Sequence, residues 1–489
     1  MLAWLSRLPA PILYVVSVAI EKSFALVTIP LMALYLTPES YGHFDVAVAL
    51  SEVVIMVVGL GLTDQLIRFA STARSSEGER LVAGEVMACA IVLAGLGCLL
   101  ALSGSSLLKA LLSLEVGLPA LQVMLAGACL NNLIVLPMAW LRLQDDAQAY
   151  LRVVVARTFF QVVGIATALT LGYGADGVLI SNGAILTSFS LYLTWQQSKL
   201  TPFRLSLHRF AQLGSYGAPL VGAMLAMFLL GSANRLFLAQ WVNPEIVGQF
   251  GLASRLALAT VLLLYPLELW WLPKRIAVLT QPGGLTRSAD VWGIGVAVLL
   301  FSAVGVALVA PMFINAFLPP EFFGAIALLP LLVATQCLHA LSGITEVGSY
   351  ARETGYRVLL IDFSGAVVAV LGFMLLIPPY GPYGAIAAVV IGHLIRIGGY
   401  VLDGKTLAPI RYRWLSLVCC SLVVALLIGS APPAGEYLAR FLWTGFATFL
   451  LLVVVFVTGL VRIEGLGGLW SVAEKDELDS DSLAPRLSS

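Results

Sequence analysis

The feature that most constrains this chain is the length of its apolar stretches, about 18 to 26 residues each, separated by short polar links. Roughly 20 helical residues, at about 1.5 Å of rise each, cross a hydrocarbon layer about 30 Å thick. With 60% hydrophobic residues, 11% charged and a mean hydropathy of +0.96, the chain has too little polar surface to clothe a water-facing globule. The expected class is an all-α integral membrane protein. Its expected spans are 11–36, 43–66, 81–103, 117–140, 150–172, 177–197, 214–240, 246–272, 291–316, 322–344, 356–378, 382–402, 413–430 and 439–461, fourteen in all. No link between them is long enough for a separate soluble domain. The first stretch carries Glu21 and Lys22 and lacks a small-residue cleavage site, so it reads as a retained helix rather than a signal peptide.

Orientation follows from the basic residues, which insertion keeps on the cytoplasmic side. With the N-terminus inside, the inner links and tails hold Arg68, Arg80, Arg142, Lys199, Arg209, Lys274, Arg287, Arg411 and Arg413 among others, and the opposite links hold only Lys109 and Arg440. Both termini are therefore expected in the cytoplasm. Basic inner loops also meet anionic lipid, so none of these residues needs a ligand to explain it. The six cysteines all fall within spans and the four histidines are scattered. No spacing suits a metal, and no cofactor or nucleic-acid partner is expected. The polar, acidic tail at 462–489 has nothing apolar to fold around and is read as disordered cytoplasm.

One stretch occurs twice. "YLTPESYGHFDVAVAL" at 35–50 and "WVNPEIVGQFGLASRL" at 241–256 align at a constant offset, placing Pro38 on Pro244, Glu39 on Glu245, Gly42 on Gly248, Phe44 on Phe250, Ala47 on Ala253 and Leu50 on Leu256. Each Pro-Glu lies in the short link between a first and a second helix, and each Gly-x-Phe opens that second helix. Six helices, an even number, separate the two starts, so both copies enter the membrane in the same direction. Two parallel-related six-helix bundles, 1–200 and 201–405, are expected, followed by two extra helices at 406–461 and the tail. Transporters built from parallel repeats place their substrate between the halves near the midplane and rock one half against the other. Pro30, Pro137, Pro219, Pro266 and Pro330 fall within spans, where each removes a backbone hydrogen bond.

Both halves carry a more specific likeness. "LTPESYGHFDVAVAL", "LGLTDQLIRFAS", "LGSYGAPLVGAMLAMFLLGSANRLFLAQWVNPEIVGQFGLASRL", "LWWLPKRIA" and "YGPYGAIAAVVIG", in that order and spacing, resemble the Wzx-type polysaccharide flippases of the multidrug/oligosaccharidyl-lipid/polysaccharide exporter superfamily. That resemblance implies a V-shaped architecture like that of the multidrug exporters. It also implies movement of an undecaprenyl-pyrophosphate-linked oligosaccharide from the cytoplasmic to the periplasmic leaflet of a bacterial inner membrane, for O-antigen, capsule or exopolysaccharide synthesis. It makes membrane lipids and the lipid-linked oligosaccharide the expected partners, with a polymerase and a chain-length regulator as further candidates, and it implies no enzymatic step.

A pyrophosphate in a partly desolvated cavity requires Arg or Lys partners, Arg being favoured for bidentate contact. Lys22 lies near the middle of the first helix, Arg235 in the outer half of the seventh and Arg255 about eight residues into the eighth, roughly 12 Å below its outer end. These three are the main candidate cavity cations, since charge inside a membrane is costly unless it faces water, a partner or cargo. Arg157 and Arg396 lie nearer the inner ends, where a long side chain also reaches the interface. Six acids, Glu21, Asp45, Glu52, Asp64, Glu268 and Asp362, fall in or at the ends of helices as candidate gate or ion-coupling groups. Asp64 and Glu268 stand near Arg68 and Lys274, where ordinary interfacial ion pairs are the plainer expectation.

The related lipid II flippases place a basic residue in the cavity part of helix 2, where this chain offers Asp45 and Glu52. Peptidoglycan precursor is therefore a less suitable cargo than a polysaccharide repeat unit. Two other classes fit the hydropathy. A drug or cation antiporter of the same superfamily would put acids at the midplane. A membrane polymerase or ligase would carry a long periplasmic loop, and the longest outer link here is about 13 residues.

Overall fold

The computed structural model describes residues 10–462 apart from 74, 273, 280 and 352–355. Among the described residues every expected span lies on helix and no strand occurs. Twelve helices are long and apolar enough to cross a membrane, and two shorter apolar ones, Ile12–Glu21 and Trp414–Gly429, stand at the first and thirteenth expected spans. In chain order the helices are α1 Ala10–Tyr35, α2 Pro38–Ser71, α3 Ser76–Leu111, α4 Leu118–Leu143, α5 Ala147–Thr170, α6 Gly174–Leu200, α7 Leu207–Gly231, α8 Pro244–Leu262, α9 Gly284–Phe317, α10 Pro320–Tyr350, α11 Tyr356–Tyr380, α12 Pro382–Lys405, α13 Trp414–Gly429 and α14 Tyr437–Val457. The expected polar tail lies, beyond Arg462, outside the described residues.

Local chemistry sets the helix starts. Thr37 Oγ1 accepts the Ser40 N–H at 3.2 Å with Pro38 in the first turn of α2, Ser75 Oγ accepts from Gly78 at 3.1 Å, and Asp146 Oδ1 accepts from Ala149 at 2.9 Å. Each satisfies an amide that the first helical turn leaves without a partner. The outward faces are apolar: Leu99 and Leu100 of α3, Leu415 of α13 and Leu438 of α14 are all strongly exposed. Such a surface is stable against lipid rather than water.

The chain divides into two compact units. The first draws on residues up to Leu252 with 318–324 and 369–388, and the second on the remainder. In the first, Leu62, Leu66, Met87, Leu133 and Trp140 bury together between α2, α3 and α4. Gly127 and Gly183 bring α4 and α6 into backbone contact, since a Cβ on Gly127 would sit 2.7 Å from the Gly183 carbonyl oxygen. In the second, Trp292, Val304, Cys420, Leu451 and Val455 bury α13 and α14 against α9. Trp292 Nε1 donates to Thr345 Oγ1 of α10 at 3.0 Å, and Arg413 reaches both Asp290 and the Leu460 carbonyl.

The duplicated motif makes its own contact inside the first unit. A Cβ on Gly42 would overlap the Pro244 carbonyl oxygen and come 3.0 Å from Gly248 N; one on Gly248 would overlap the Pro38 carbonyl oxygen and come 3.0 Å from Gly42 N. The contact is reciprocal, as expected for two copies of one surface related by a two-fold axis. The next polar pair repeats as well. His43 Nδ1 accepts the backbone N–H of Glu115 at 3.3 Å, and at the equivalent place Gln249 Nε2 donates to the Glu321 carbonyl at 2.9 Å. Glu115 and Glu321 are separated by the same offset as Pro38 and Pro244.

One of the five span prolines coincides with a helix break and four do not. α8 gives way at Leu263–Leu264 to a separate short helix, Tyr265–Trp271, with Pro266 in its first turn. Pro30, Pro137, Pro219 and Pro330 lie inside continuous helical stretches, the interruption of α4 at Asn131 falling six residues before Pro137. A further break has no proline at all: Leu60 and Gly61 of α2 both take left-handed backbone, with φ 46° and 61°. For Leu60 that conformation is strained, and surrounding contacts must hold it. Gln65 Nε2 supplies one by donating to the freed Leu60 carbonyl at 2.7 Å, and Gly217 of α7 leaves the space that this carbonyl occupies.

Candidate functional site

Three arginines named from the sequence are paired with three of the named acids. The first pair lies in the first unit. α7 ends at Gly231, and after two residues a short helix, Asn234–Trp241, carries Arg235 at its start. Arg235 Nε lies 3.1 Å from Asp45 Oδ2 of α2, with side-chain exposures of 9% and 0%. The approach angle is not that of a hydrogen bond, so the Nε–H is buried without an acceptor among the described residues while the charges still compensate each other. The wall of this site is backbone: a Cβ on Gly251 of α8 would overlap Asp45 Oδ2 and lie 2.8 Å from its Cγ. Gly251 is the repeat-equivalent of Asp45. One copy therefore supplies a carboxylate at this place and the other supplies the room for it.

The second pair, in the same unit, joins α1 to α5: Arg157 Nη2 donates to Glu21 Oε1 at 2.5 Å. Glu21 is exposed, so the pair sits at the unit's surface. The side chain of Lys22 lies outside the described residues.

The third pair is the centre of a buried network in the second unit. Arg396 Nε of α12 donates to Asp362 Oδ1 of α11 at 2.8 Å, and its Nη1 donates to Ser342 Oγ of α10 at 3.0 Å and faces His393 Nδ1 at 3.4 Å. Tyr400 Oη donates to the same Asp362 oxygen, and the His339 and His393 rings stand 5.4 Å apart, edge to face. Gly365 clears the path of the Arg396 stem. Beside this network Arg275 Nη1 donates to Glu346 Oε1 at 2.9 Å and stacks over Tyr350. Burying one guanidinium with one carboxylate and several neutral donors and acceptors keeps the charge balanced, which an isolated charge there could not do.

The remaining candidates are dispersed. Arg255 is half-buried in α8, Glu52 half-buried in α2 and Glu268 half-buried in Tyr265–Trp271, while Asp64 is exposed. Arg68 turns to α7, donating to Tyr216 Oη at 2.5 Å and stacking over its ring. Lys274 stacks over Trp270. Sequence reasoning passed over Ser342, His393 and Tyr400. For the last two the spacing held a signal, since His393, Arg396 and Tyr400 follow one another at i, i+3 and i+7 on one face of α12.

Glu39, His43 and Glu115 form the one described group with metal-ligand atoms close together, within 4.8 Å of one another. The Glu115 N–H donated to Nδ1 places the neutral ring's proton on Nε2, so neither nitrogen offers a free lone pair in this geometry.

An all-helical, multi-pass membrane protein with an internal sequence repeat and buried arginine–carboxylate pairs has the features of a membrane transporter. The family is shown directly: residues 11–273 match the model of the polysaccharide biosynthesis protein family, to which this chain belongs. No curated protein sequence matches it. Among solved structures, it is similar to the lipid II flippase MurJ in an inward closed conformation, at 13% identity and a TM-score of 0.72, covering 92% of this chain and 100% of that one. It is also similar to an inward-facing multidrug resistance MATE family transporter of the MOP superfamily, at 18% identity and a TM-score of 0.58, covering 80% of this chain and 97% of that one. A third likeness is to the MATE multidrug transporter DinF-BH, at 14% identity and a TM-score of 0.58, covering 80% and 93% of the two chains. The chain shares the fold of these three structures, a lipid II flippase and two multidrug transporters.

Proposed function

We propose that this chain carries undecaprenyl-pyrophosphate-linked oligosaccharides from the cytoplasmic to the periplasmic leaflet of a bacterial inner membrane. It would thereby supply repeat units for O-antigen, capsule or exopolysaccharide. The observation that carries this reading is Arg235, a guanidinium 8% exposed at the start of the short helix Asn234–Trp241, neutralised by Asp45 and holding an Nε–H with no acceptor among the described residues. A charge is retained inside a membrane where it has a partner, water or cargo to meet. A pyrophosphate oxygen is the acceptor that such a donor suits, and its charge competes with Asp45 for the arginine. In this account Asp45 is a resting counter-ion that the cargo displaces. Arg255 and Lys22 are the further cations for the same cargo, and Glu21 and Asp362 hold Arg157 and Arg396 in the same compensated manner. Each six-helix bundle moves as one half of an alternating-access cycle, with both termini in the cytoplasm and with a polymerase and chain-length regulator receiving the units.

Two observations favour this cargo over its rivals. α2 carries Asp45 and Glu52 but no Lys or Arg between Pro38 and Gly59, which makes lipid II a less suitable cargo than a polysaccharide repeat unit. Asp45 is already neutralised by Arg235, which makes it a poor partner for the cation of a drug or cation antiporter. The test replaces Arg235 and Arg255 with Ala and with Lys and measures surface polysaccharide at matched protein levels. Both Ala variants should lose it; full activity in both overturns the reading. A strain lacking the protein should accumulate lipid-linked units on the cytoplasmic leaflet, whereas polymerised but unligated periplasmic glycan would place the protein at a later step.

A further inference from the structure

In the second unit, a cavity of about 500 Å³ opens between one end of α11 and the adjoining end of α12. Arg357 and Asp403 line it from opposite helices, with Ser364 and Thr406 adding hydroxyls and Leu360 and Leu402 forming apolar walls. Arg357 is the second residue of α11 and Asp403 lies within a turn of the end of α12, so both charges stand at the level where a helix leaves hydrocarbon for head groups. Leu360 and Leu402 are exposed, continuing the cavity towards the acyl region.

The charges are unequal in setting. The Arg357 side chain is 60% exposed and that of Asp403 only 6%, and they form an ion pair at 3.8 Å, too far for a hydrogen bond. A buried carboxylate repels a purely anionic head group, and the guanidinium at the mouth repels a lone cation. A group that carries a phosphate and an ammonium two carbons apart meets both.

We propose that this cavity binds the head group of a zwitterionic aminophospholipid, its phosphate on Arg357 and its primary ammonium on Asp403. The phosphate gains charge-assisted hydrogen bonds from the guanidinium. The ammonium donates N–H groups to the carboxylate, which the methyl-capped ammonium of a choline lipid cannot do. The hydroxyls of Ser364 and Thr406 donate to the Ile361 and Asp403 backbone carbonyls, each at 2.8 Å, and line the polar end of the cavity, while the acyl chains run along Leu360 and Leu402. None of these residues is among those assigned to the cargo, so this site and the transport reading stand or fall separately.

The full-length protein, purified in mild detergent, is mixed with equimolar phosphatidylethanolamine, phosphatidylglycerol and phosphatidylcholine of identical acyl chains, and retained lipid is counted by native mass spectrometry. The wild type should retain the ethanolamine lipid about tenfold over the other two, the ratio that one charge-assisted hydrogen bond supports. Asp403→Asn should bring ethanolamine down to the choline level while leaving the glycerol lipid unchanged or higher. Arg357→Ala should lower all three. Ser364→Leu, which fills the cavity without touching a charge, should abolish selectivity and covers the case in which a charge variant fails to fold. Equal retention of the three lipids by the wild type overturns the proposal, as does a preference that survives both Asp403→Asn and Ser364→Leu.

Discussion

Removing one member of the Asp45–Arg235 pair should destabilise the protein far more than removing both. With side-chain exposures of 0% and 9%, neither charge can turn to water when its partner is deleted. Breaking a buried pair from one side costs about 3–5 kcal/mol, whereas replacing both members by apolar side chains is often neutral or stabilising. At about 2–4 °C per kcal/mol for a domain of 150–250 residues, Arg235→Met and Asp45→Ala should each lower the unfolding temperature by roughly 6–20 °C. The double variant should return to within about 3 °C of the wild type, giving a coupling energy of at least about 4 kcal/mol in the double-mutant cycle. Alanine is the right replacement at 45, because the Gly251 backbone leaves no room for anything bulkier than the carboxylate. The assay is thermal unfolding of the purified protein in detergent, paired with surface polysaccharide in cells. Single variants within about 2 °C of wild type, or a double variant whose loss equals the sum of the singles, would refute the electrostatic argument. A stable double variant that still exports polysaccharide normally would leave the pair a purely structural role.

Two further outcomes follow from the packing. Gly42→Ala and Gly248→Ala should each cost about 1–3 kcal/mol or more in the same unfolding assay, because the added methyl meets a carbonyl oxygen of the other copy; Gly222→Ala, with nothing within 4 Å, should be neutral. Arg440 donates to the carbonyls of Leu308 and Pro432, each at 2.7 Å, and of Ala307 at 3.4 Å. Arg440→Lys keeps the charge but not the planar fork, and should lower stability by about 1–3 kcal/mol by leaving carbonyls unmet.

Much of the fold was legible because a bilayer writes its thickness into the chain. Each expected span lies on helix, and the two Pro-Glu pairs, Pro38-Glu39 and Pro244-Glu245, each begin one. The break at Leu60–Gly61 was not legible: it falls inside an unbroken apolar run and is stabilised by Gln65 and Gly217, one of them on another helix. Pro219, by contrast, looked like a break and lies within a continuous helix. The charged residues stood out in the sequence but their partners did not. Arg235 meets Asp45, and Arg157 meets Glu21, across sequence separations that only the fold closes. Intramembrane cost identified which residues needed company, but not which neighbour would provide it.

The crossing of Gly42 and Gly248 binds the future of the two copies together. Because each glycine lies against a proline carbonyl of the other copy, neither half can enlarge that residue without displacing the other half's backbone. Three residues further along, the constraint takes an asymmetric form: a carboxylate at 45 obliges 251 to remain without a side chain. Any side chain gained at 251 would have to be matched by the loss of the carboxylate at 45, so the two copies of the motif can change at this place only together.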